Sequence, residues 1–307
     1  MGDSAVIMGT RPRRSMLYMP GSNARALEKA RSIPADALIL DLEDAVAPDA
    51  KEAAREQVCA AAASGAYGKR EVIIRINGLD TGWGHEDVPA VARSGAAAVL
   101  LPKVESADQL AHLDSLLRQW EGPEDQAIMA MIETPLGVLH VEEIAREAPR
   151  LTCLVMGTSD LAKDLHAPDL HAPDLHAQDT PDRLAMLPSL GLALLAARAY
   201  GIAIADGVHL DLGDDEGFER ACRQGRTMGF DGKTLIHPKQ VAGANRAFAP
   251  SADEVAWSRR IIEAHAEAEK KSEGVVLVDG RLIENLHVEE AQRLVALADA
   301  IAELEAV

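Results

Sequence analysis

Residues 37–44, with the sequence ALILDLED, place a run of apolar residues directly before three carboxylates. A short and nearly continuous apolar run is typical of a parallel strand that is buried on both faces. Charged side chains at the end of such a strand are costly to bury unless they pair or hold a cation. The stretch therefore predicts a buried parallel strand that delivers Asp41 and Glu43 to a functional edge of a sheet.

Seven further apolar runs repeat this pattern along the chain, and segments of helical period lie between them. Eight strand–helix alternations within about 250 residues predict a (β/α)8 barrel, or TIM barrel, over residues 1–249. A doubly wound sheet is the competing architecture, but no GxGxxG motif follows the first strand. The predicted strands are residues 15–19, 37–42, 72–76, 98–101, 127–132, 151–156, 202–205 and 233–236, and the predicted helices include residues 24–31, 50–63, 107–117, 141–146 and 216–228.

The remaining residues, 250–307, are predicted to form a C-terminal arm. Asp279-Gly280 is a strong signal for a type I′ hairpin turn between strands at residues 275–278 and 281–283. Segments of helical period at residues 252–271 and 288–304 flank this hairpin. The chain is therefore predicted to be a barrel with a helix–hairpin–helix arm.

The composition argues against several classes of protein. The chain has 307 residues with 31 Lys and Arg against 49 Asp and Glu, a net charge of −18. This acidity argues against nucleic acid, whose phosphates require clustered Lys and Arg. We find no apolar run of membrane-spanning length and no secretory signal in the first fifteen residues. Cys59, Cys153 and Cys222 are odd in number and widely spaced, so we expect a reducing, cytoplasmic compartment.

Charged residues that end the predicted strands define a candidate active site. The carboxyl ends of barrel strands converge on one mouth, so Glu133 and Asp160, which end successive strands, are expected to approach each other. Two carboxylates without a nearby histidine suit Mg²⁺ better than zinc. Arg75 would supply a fixed, planar cation for a substrate carboxylate or an oxyanion. The alternative is that Arg75 only forms an ion pair with Glu133 or Glu43, without chemistry.

Six motifs stand in order along the chain and together resemble the citrate lyase beta-subunit-like branch of the HpcH/HpaI aldolase family. Within that branch the chain is most similar to stand-alone malyl-CoA lyases and (3S)-malyl-CoA thioesterases. The resemblance covers residues 13–302, and six ordered motifs are more specific than any single one. The motifs are RSMLYMPG at residues 14–21, LDLED at 40–44, RIN at 75–77, LPKVE at 101–105, MIET at 131–134 and GTSDL at 157–161.

The resemblance implies a TIM barrel assembled as a homotrimer or hexamer, with an arm that reaches an adjacent subunit. It also implies Mg²⁺, or Mn²⁺ in its place, a CoA thioester as substrate and an α-keto acid as product. The implied metal ligands are Glu133 and Asp160; the substrate-binding residues are Arg75, Glu133, Gly157 and Thr158; the supporting catalytic residues are Asp41 and Glu43; and the CoA contacts are Arg14, Pro20, Gly21 and Asn23.

Three activities are compatible with this resemblance. The first is C–C cleavage or formation of a malyl-CoA-type 3-hydroxyacyl-CoA, with acetyl- or propionyl-CoA and glyoxylate as products. The alternative is hydrolysis to malate and CoA, and a further alternative is a lyase subunit of a citrate-lyase-like complex. Related lyases carry a catalytic aspartate soon after the hairpin turn, and Glu284 occupies the matching position. Its longer side chain would displace the carboxylate, which disfavours cleavage and permits attack on the thioester.

A tandem repeat follows the sixth predicted strand. The sequence DLHAP at residues 164–168 recurs at 169–173 and, as DLHAQ, at 174–178. His166, His171 and His176 invite a metal-site interpretation, but a spacing of five matches no pair of ligands on a helix, and prolines interrupt it. We therefore interpret the repeat as an expanded loop, which costs little in closure entropy.

Overall fold

The computed structural model describes residues 11–147, 150–167, 183–270 and 276–306. These residues form two compact units. One unit is Arg13–Phe248, and the other comprises the described parts of Met1–Pro12 and Ala249–Val307. Residues 168–178 of the tandem repeat, with His171 and His176, lie outside the described residues.

Eight parallel strands close into a barrel in the first unit. Each strand pairs with the next along the chain, and the last strand returns to the first with Met16 opposite Thr234. This closure confirms the predicted (β/α)8 barrel and rules out the doubly wound sheet, which is open. The strands are β1 Ser15–Pro20, β2 Ala37–Asp41, β3 Glu71–Arg75, β4 Ala98–Leu101, β5 Ala127–Ile132, β6 Leu151–Met156, β7 Ala203–Asp206 and β8 Gly232–Leu235.

Helices follow the strands, and two more lie in the second unit. Several helices were not predicted, among them α3, which contains two glycines and Pro89 and so has a weak helical signal. Its start is fixed by Thr81, whose side chain accepts the Gly84 N–H at 3.0 Å. The helices are α1 Ala24–Ala30, α2 Lys51–Ala63, α3 Gly82–Ala92, α4 Ala107–Gln119, α5 Pro135–Leu139, α6 Val141–Glu147, α7 Thr158–Asp164, α8 Leu187–Ala199, α9 Asp215–Met228, α10 Val241–Phe248, α11 Ala252–Lys270 and α12 Asn285–Glu305.

Alternation along each strand decides which side chains reach the barrel mouth. One set of alternate residues forms the barrel interior, and the other set packs against the helices. The same alternation can be counted on to the carboxyl ends of β1, β2, β3, β5 and β6. The next positions that face the barrel axis there are polar or small residues, and they lie at the mouth. The interior residues are Met16, Ala37, Ile39, Ile73, Ala98, Leu100, Met129, Met131, Cys153, Val155 and Ala205, and the positions that follow in register are Tyr18, Asp41, Arg75, Glu133 and Gly157.

The second unit contains the hairpin between α11 and α12. Its strands are β9 Val276–Val278 and β10 Arg281–Ile283, which pair antiparallel. Asp279 and Gly280 have φ angles of +48° and +77°, as a type I′ turn requires, so the predicted hairpin is confirmed. Within the described residues, no helix is long and apolar enough to cross a membrane.

Candidate active site

Arg75 ends β3 at the barrel mouth, where its side chain is 7% exposed. Its Nε and Nη2 atoms donate to the two carboxylate oxygens of Asp41, each at 2.7 Å. Its Nη1 atom lies 2.8 Å from Oε2 of Glu43. Burial by itself would lower the pKa of Arg75, but Tyr18, Asp41 and Glu43 raise it well above its ordinary value. Arg75 is therefore a fixed and permanent cation at this site.

Glu43 connects Arg75 to Lys103. The Lys103 Nζ donates to Oε1 of Glu43 at 2.6 Å. Burial raises the pKa of Glu43, and the two neighbouring cations offset this effect only in part. The backbone N–H of Lys103 donates to Oε1 of Glu133 at 2.8 Å. Lys103 has a φ of +49°, a strained conformation for a non-glycine residue, and this residue joins both carboxylates, Glu133 through its backbone N–H and Glu43 through its side chain.

Glu133 follows β5 and is 1% exposed. A Cβ at position 157 would lie 2.4 Å from Cβ and 2.5 Å from Oε2 of Glu133, so the close approach of the two segments requires glycine. Burial raises the pKa of Glu133 to about 7, and repulsion by Glu43 and Asp160 contributes to the rise. The N–H of Lys103 and the charge of Arg75 act in the opposite direction. Ionised Glu133 is therefore only partly compensated by its protein surroundings.

The amino end of α7 supplies the second predicted carboxylate. Gly157 precedes the helix, Thr158 begins it and is buried, and Asp160 lies in its first turn. The Asp160 side chain is 32% exposed, and its Oδ1 lies 3.8 Å from the Lys163 Nζ. Since Gly157 lies against Glu133, the structure brings the start of α7 close to the carboxylate that follows β5.

The carboxylates of Glu133 and Asp160 fit a hard divalent cation. Each repels the negative charge of the other, and a cation between two such groups would replace this repulsion by attraction. The described part of the chain contains no cluster of three or more His, Cys, Asp and Glu side chains that could hold a metal ion. Two carboxylates leave most of the coordination shell to water and substrate, which is the usual state of Mg²⁺ and not of structural zinc.

Lys51 holds the backbone next to Glu43 and was not predicted from the sequence as a residue of the site. It is the first residue of α2 and is buried. Its Nζ donates to the carbonyl oxygens of Leu42 and Glu43 and to Oδ1 of Asn77, each at 2.7 Å. Two of its three ammonium donors therefore hold the segment that carries Glu43, and the third ties this segment to Asn77 after β3. The sequence offered one signal for Lys51, namely its positive charge at the amino end of a helix. A cation there opposes the helix dipole.

The structure separates the predicted CoA contacts. Pro20 ends β1 at the mouth, Gly21 donates its N–H to the Asp41 carbonyl at 2.9 Å, and Asn23 caps α1 through the Ala26 N–H. Arg14 instead precedes β1, at the opposite end of the barrel. It is 3% exposed and donates from Nε and Nη2 to Asp36, at 2.8 Å each. The implied grouping of Arg14 with Pro20, Gly21 and Asn23 as CoA contacts is therefore corrected, since Arg14 lies away from the mouth and is paired with Asp36.

Asp206 ends β7 but turns away from the mouth. Its neighbour Ala205 lies in the barrel interior, so Asp206 faces the helices. Its carboxylate accepts from Arg183 Nη1 at 2.8 and 2.9 Å and from Lys233 Nζ at 2.9 Å. Burial opposes ionisation of Asp206, but the two cations lower its pKa, so it stays ionised. This buried cluster is a structural element of the barrel and not part of the mouth.

Glu284 lies in the second unit, between β10 and α12, where its side chain is exposed. Its backbone N–H donates to Nδ1 of His287 at 3.0 Å and so caps the start of α12. The carboxylate is thus carried by a defined helix start that follows the hairpin directly.

A pocket of about 760 Å³ opens beside Glu43 and Lys103. The loops that follow β2, β3 and β4 line it, and Lys51, Asn77 and Trp83 contribute to its wall. Its volume lies within the range of small-molecule sites.

Comparison with known proteins identifies the family. The HpcH/HpaI aldolase/citrate lyase family matches residues 14–238. The (3S)-malyl-CoA thioesterase of Cereibacter sphaeroides is 48% identical over 291 residues, which cover 95% of this chain and 96% of the relative. The citrate lyase subunit beta of Escherichia coli is 34% identical, with 94% of each chain covered. The crystal structure of CitE from Mycobacterium tuberculosis, in complex with magnesium, acetoacetate and coenzyme A, has a TM-score of 0.73 at 28% identity, covering 94% of this chain and 99% of CitE. The chain therefore belongs to the HpcH/HpaI aldolase/citrate lyase family.

Proposed function

We propose that the chain is a Mg²⁺-dependent thioester hydrolase that converts (3S)-malyl-CoA to malate and CoA. The observation that carries this choice is the identity of 48% to a (3S)-malyl-CoA thioesterase, against 34% to a citrate lyase subunit beta, at nearly equal coverage. The proposal reverses the order of preference drawn from the sequence, in which C–C cleavage came first.

We propose that Glu133 and Asp160 hold Mg²⁺ and that Mn²⁺ can replace it. The CitE structure contains magnesium together with acetoacetate and coenzyme A, and another, of a citrate lyase beta subunit, contains oxaloacetate and magnesium. When bound, the metal supplies Lewis-acid polarisation of substrate oxygens and a fixed anchor for the hydroxy acid. Gly157 lies against Glu133 and Thr158 follows it at the start of α7, so we propose that both contact the same substrate group.

Arg75 is proposed to stabilise the negative charge that develops on the thioester oxygen. Two of the five N–H donors of Arg75, on Nε and Nη2, bond to Asp41, and Nη1 lies against Glu43. This arrangement leaves further N–H donors of Arg75 for the substrate. Water forms a bond to the thioester carbon, the C–S bond breaks, and sulfur departs as the thiol of CoA. The proton lost by water goes to a carboxylate, for which we propose Glu284, supplied by the arm of this or an adjacent subunit, and the same carboxyl group then gives this proton to the departing sulfur.

The remaining assignments follow from the same proposal. We propose that Pro20, Gly21 and Asn23 contact CoA, and that the chain is a homotrimer or hexamer, which light scattering on the purified protein would test.

We also propose a cytoplasmic location, because Cys59, Cys153 and Cys222 are all free. No partner beyond the CoA thioester and the released acid enters this scheme.

Thiol release from (3S)-malyl-CoA tests the proposed function. Wild type should release CoA and malate with Mg²⁺ and should lose this activity with a chelator. Glu133→Gln and Asp160→Asn should each reduce turnover at least 100-fold and raise the Mg²⁺ concentration required. Glu284→Gln should reduce turnover while leaving Mg²⁺ binding unchanged. Thiol release that is independent of Mg²⁺ and of Glu133 would overturn the assignment.

C–C cleavage is the second candidate, and the 34% identity to a citrate lyase subunit favours it. The same metal and Arg75 would then stabilise an α-keto acid and a thioester enolate. Glyoxylate and acetyl-CoA as the only products would establish this reaction in place of hydrolysis.

A further inference from the structure

Tyr18 is an unassigned polar side chain of the barrel mouth. It lies on β1, two residues after the interior residue Met16, and packs against the interior cluster. Its ring lies below the guanidinium of Arg75, with the Arg75 Cζ 4.9 Å from the ring centroid. The ring therefore fixes one face of Arg75.

The hydrogen bonds of Tyr18 and Arg75 converge on one weak acceptor. The Tyr18 hydroxyl donates to Sδ of Met131 at 3.8 Å, and Arg75 Nη1 approaches the same sulfur at 3.8 Å. A thioether is a poor acceptor, whereas the hydroxyl of a partly buried tyrosine such as Tyr18 normally finds an oxygen or nitrogen partner. Nη1 also lies 2.8 Å from Oε2 of Glu43, but the N–H of Nη1 that faces Met131 and the Tyr18 hydroxyl meet a weak acceptor at this point.

We propose that the Tyr18 hydroxyl and Arg75 Nη1 act as a pair of donors to one oxygen of the substrate, which makes Tyr18 a further catalytic residue. The identity of that oxygen rests on the proposed function: in a thioester hydrolase it is the former carbonyl oxygen of the thioester, which becomes negative as water attacks. Donors aimed at such an oxygen act most strongly when they are fixed before the reaction and shielded from water.

The Tyr18 hydroxyl is protonated, so it is suited to donate a hydrogen bond and not to act as a base. Burial raises the pKa of Tyr18, and Arg75 offsets this only in part, while Asp41, Glu133 and Glu43 raise it further. The hydroxyl consequently keeps its proton at neutral pH. Tyr18 can therefore give a hydrogen bond to an oxyanion, but it does not remove the proton from water.

Two substitutions separate this role from simple packing. Tyr18→Phe removes only the hydroxyl and keeps the ring beneath Arg75, and Met131→Leu removes only the sulfur and keeps a similar volume. If the hydroxyl serves only to bond Met131, both variants lose the same interaction and behave alike. If it donates to substrate, Tyr18→Phe alone is impaired.

The test is steady-state kinetics on (3S)-malyl-CoA together with calorimetric titration of acetoacetate in the presence of Mg²⁺. Tyr18→Phe should lower kcat/KM about 10- to 100-fold, and should weaken acetoacetate binding about tenfold. Met131→Leu should stay within about threefold of wild type in both measurements, with an unchanged melting temperature for both variants. Tyr18→Phe within threefold of wild type, or equal losses in the two variants, would overturn the proposal. Absence of thiol release by wild type would refute only the proposed function, since the acetoacetate titration judges Tyr18 independently.

Discussion

Arg75 and Asp41 form a two-point ion pair, with Nε and Nη2 of the guanidinium donating to the two carboxylate oxygens at 2.7 Å each. Asp41 is held in turn by the backbone N–H groups of Glu43 and Ala45, at 2.9 and 3.2 Å. The orientation of the cation is thus set by the loop after β2, through a carboxylate that is itself 1% exposed. Such fixed orientation is what an oxyanion-binding group requires.

Replacement of Asp41 should therefore impair turnover more than substrate affinity. Asp41→Asn puts an N–H donor against the guanidinium and removes the buried counter-charge, so we expect kcat to fall about 100-fold and the protein to lose about 3 kcal/mol of stability. Kinetics and urea unfolding would measure both effects. Asp44→Asn is the matched control, since its carboxylate lies 3.7 Å from Arg75 and its side chain is 64% exposed. Equal losses in the two variants would contradict the role of the two-point contact.

Binding of Mg²⁺ should depend on pH through Glu133. Its pKa is raised to about 7 in the metal-free fold, and only the ionised form binds the cation. Affinity for Mg²⁺ should weaken about tenfold for each pH unit below 7 and level off above it, with about one proton released on binding near pH 6. Calorimetry in two buffers of different ionisation enthalpy measures this proton. Affinity that stays constant between pH 5.5 and 8 would count against Glu133 as a ligand.

The same shift has a consequence for stability without metal. A carboxyl group whose folded pKa lies above its unfolded value stabilises the fold at low pH, and this contribution is lost as pH rises through about 7. The metal-free protein should thus lose stability between about pH 4.5 and pH 7, and Glu133→Gln should remove this part of the pH dependence. Unfolding curves of the two proteins across that range would show it. Parallel curves at every pH would contradict the assigned shift.

Removal of the Lys51 ammonium should release the loop that carries Glu43. Lys51→Met leaves three buried acceptors without their donor, at Leu42, Glu43 and Asn77, so we expect a stability loss on the order of 3 kcal/mol and a reduced kcat. Lys51 borders the pocket beside the site, so added ethylammonium should restore part of the activity of Lys51→Ala. Lys29→Met, on the exposed face of α1, is the control and should change neither property. Failure of the amine to restore any activity in folded Lys51→Ala would argue against the proposed role of the Lys51 ammonium in holding this loop.

The buried cluster at Asp206 should affect stability without affecting chemistry. Lys233 and Asp206 have fully buried side chains, so Lys233→Met leaves Asp206 with Arg183 alone and should cost about 3–5 kcal/mol. Turnover per folded molecule should remain at the wild-type value, because the cluster faces the helices. The exposed pair of Arg146 and Glu142 is the comparison, and Arg146→Met should leave the stability nearly unchanged. A specific loss of kcat in Lys233→Met would place the cluster in the active site.

The strands could be predicted from the sequence to within one or two residues, because each is a short apolar run that a polar group ends. The approach of Glu133 to the start of α7, and of Arg75 to Asp41 and Glu43, follows from the same pattern once the sheet closes. The sequence grouped Arg14 with the residues of the mouth because they share one motif. A motif that spans a whole strand contains residues from both of its ends, and Arg14 lies at the amino end of β1. Lys51 was missed because a lysine in a helix is normally solvated, and only the fold shows its three carbonyl and amide partners.

Tyr18 illustrates how the missing residues could have been found. It shares the alternate register of Met16, in the same way that Arg75 follows Ile73 and Glu133 follows Met131. Counting in twos from the interior to the end of each strand identifies the mouth residues, whereas the search for charges alone passes over a tyrosine. The helix α3 could not be found in this way, since Gly82, Gly84 and Pro89 conceal its period.

The central claim is that the barrel mouth breaks the thioester bond of malyl-CoA and leaves its carbon skeleton intact. The most direct test is mass spectrometry of the products formed from (3S)-malyl-CoA and Mg²⁺ in water labelled with heavy oxygen. We predict equimolar CoA and malate, with one labelled oxygen in the carboxylate that came from the thioester. Glyoxylate with acetyl-CoA, or unlabelled malate, would contradict the claim.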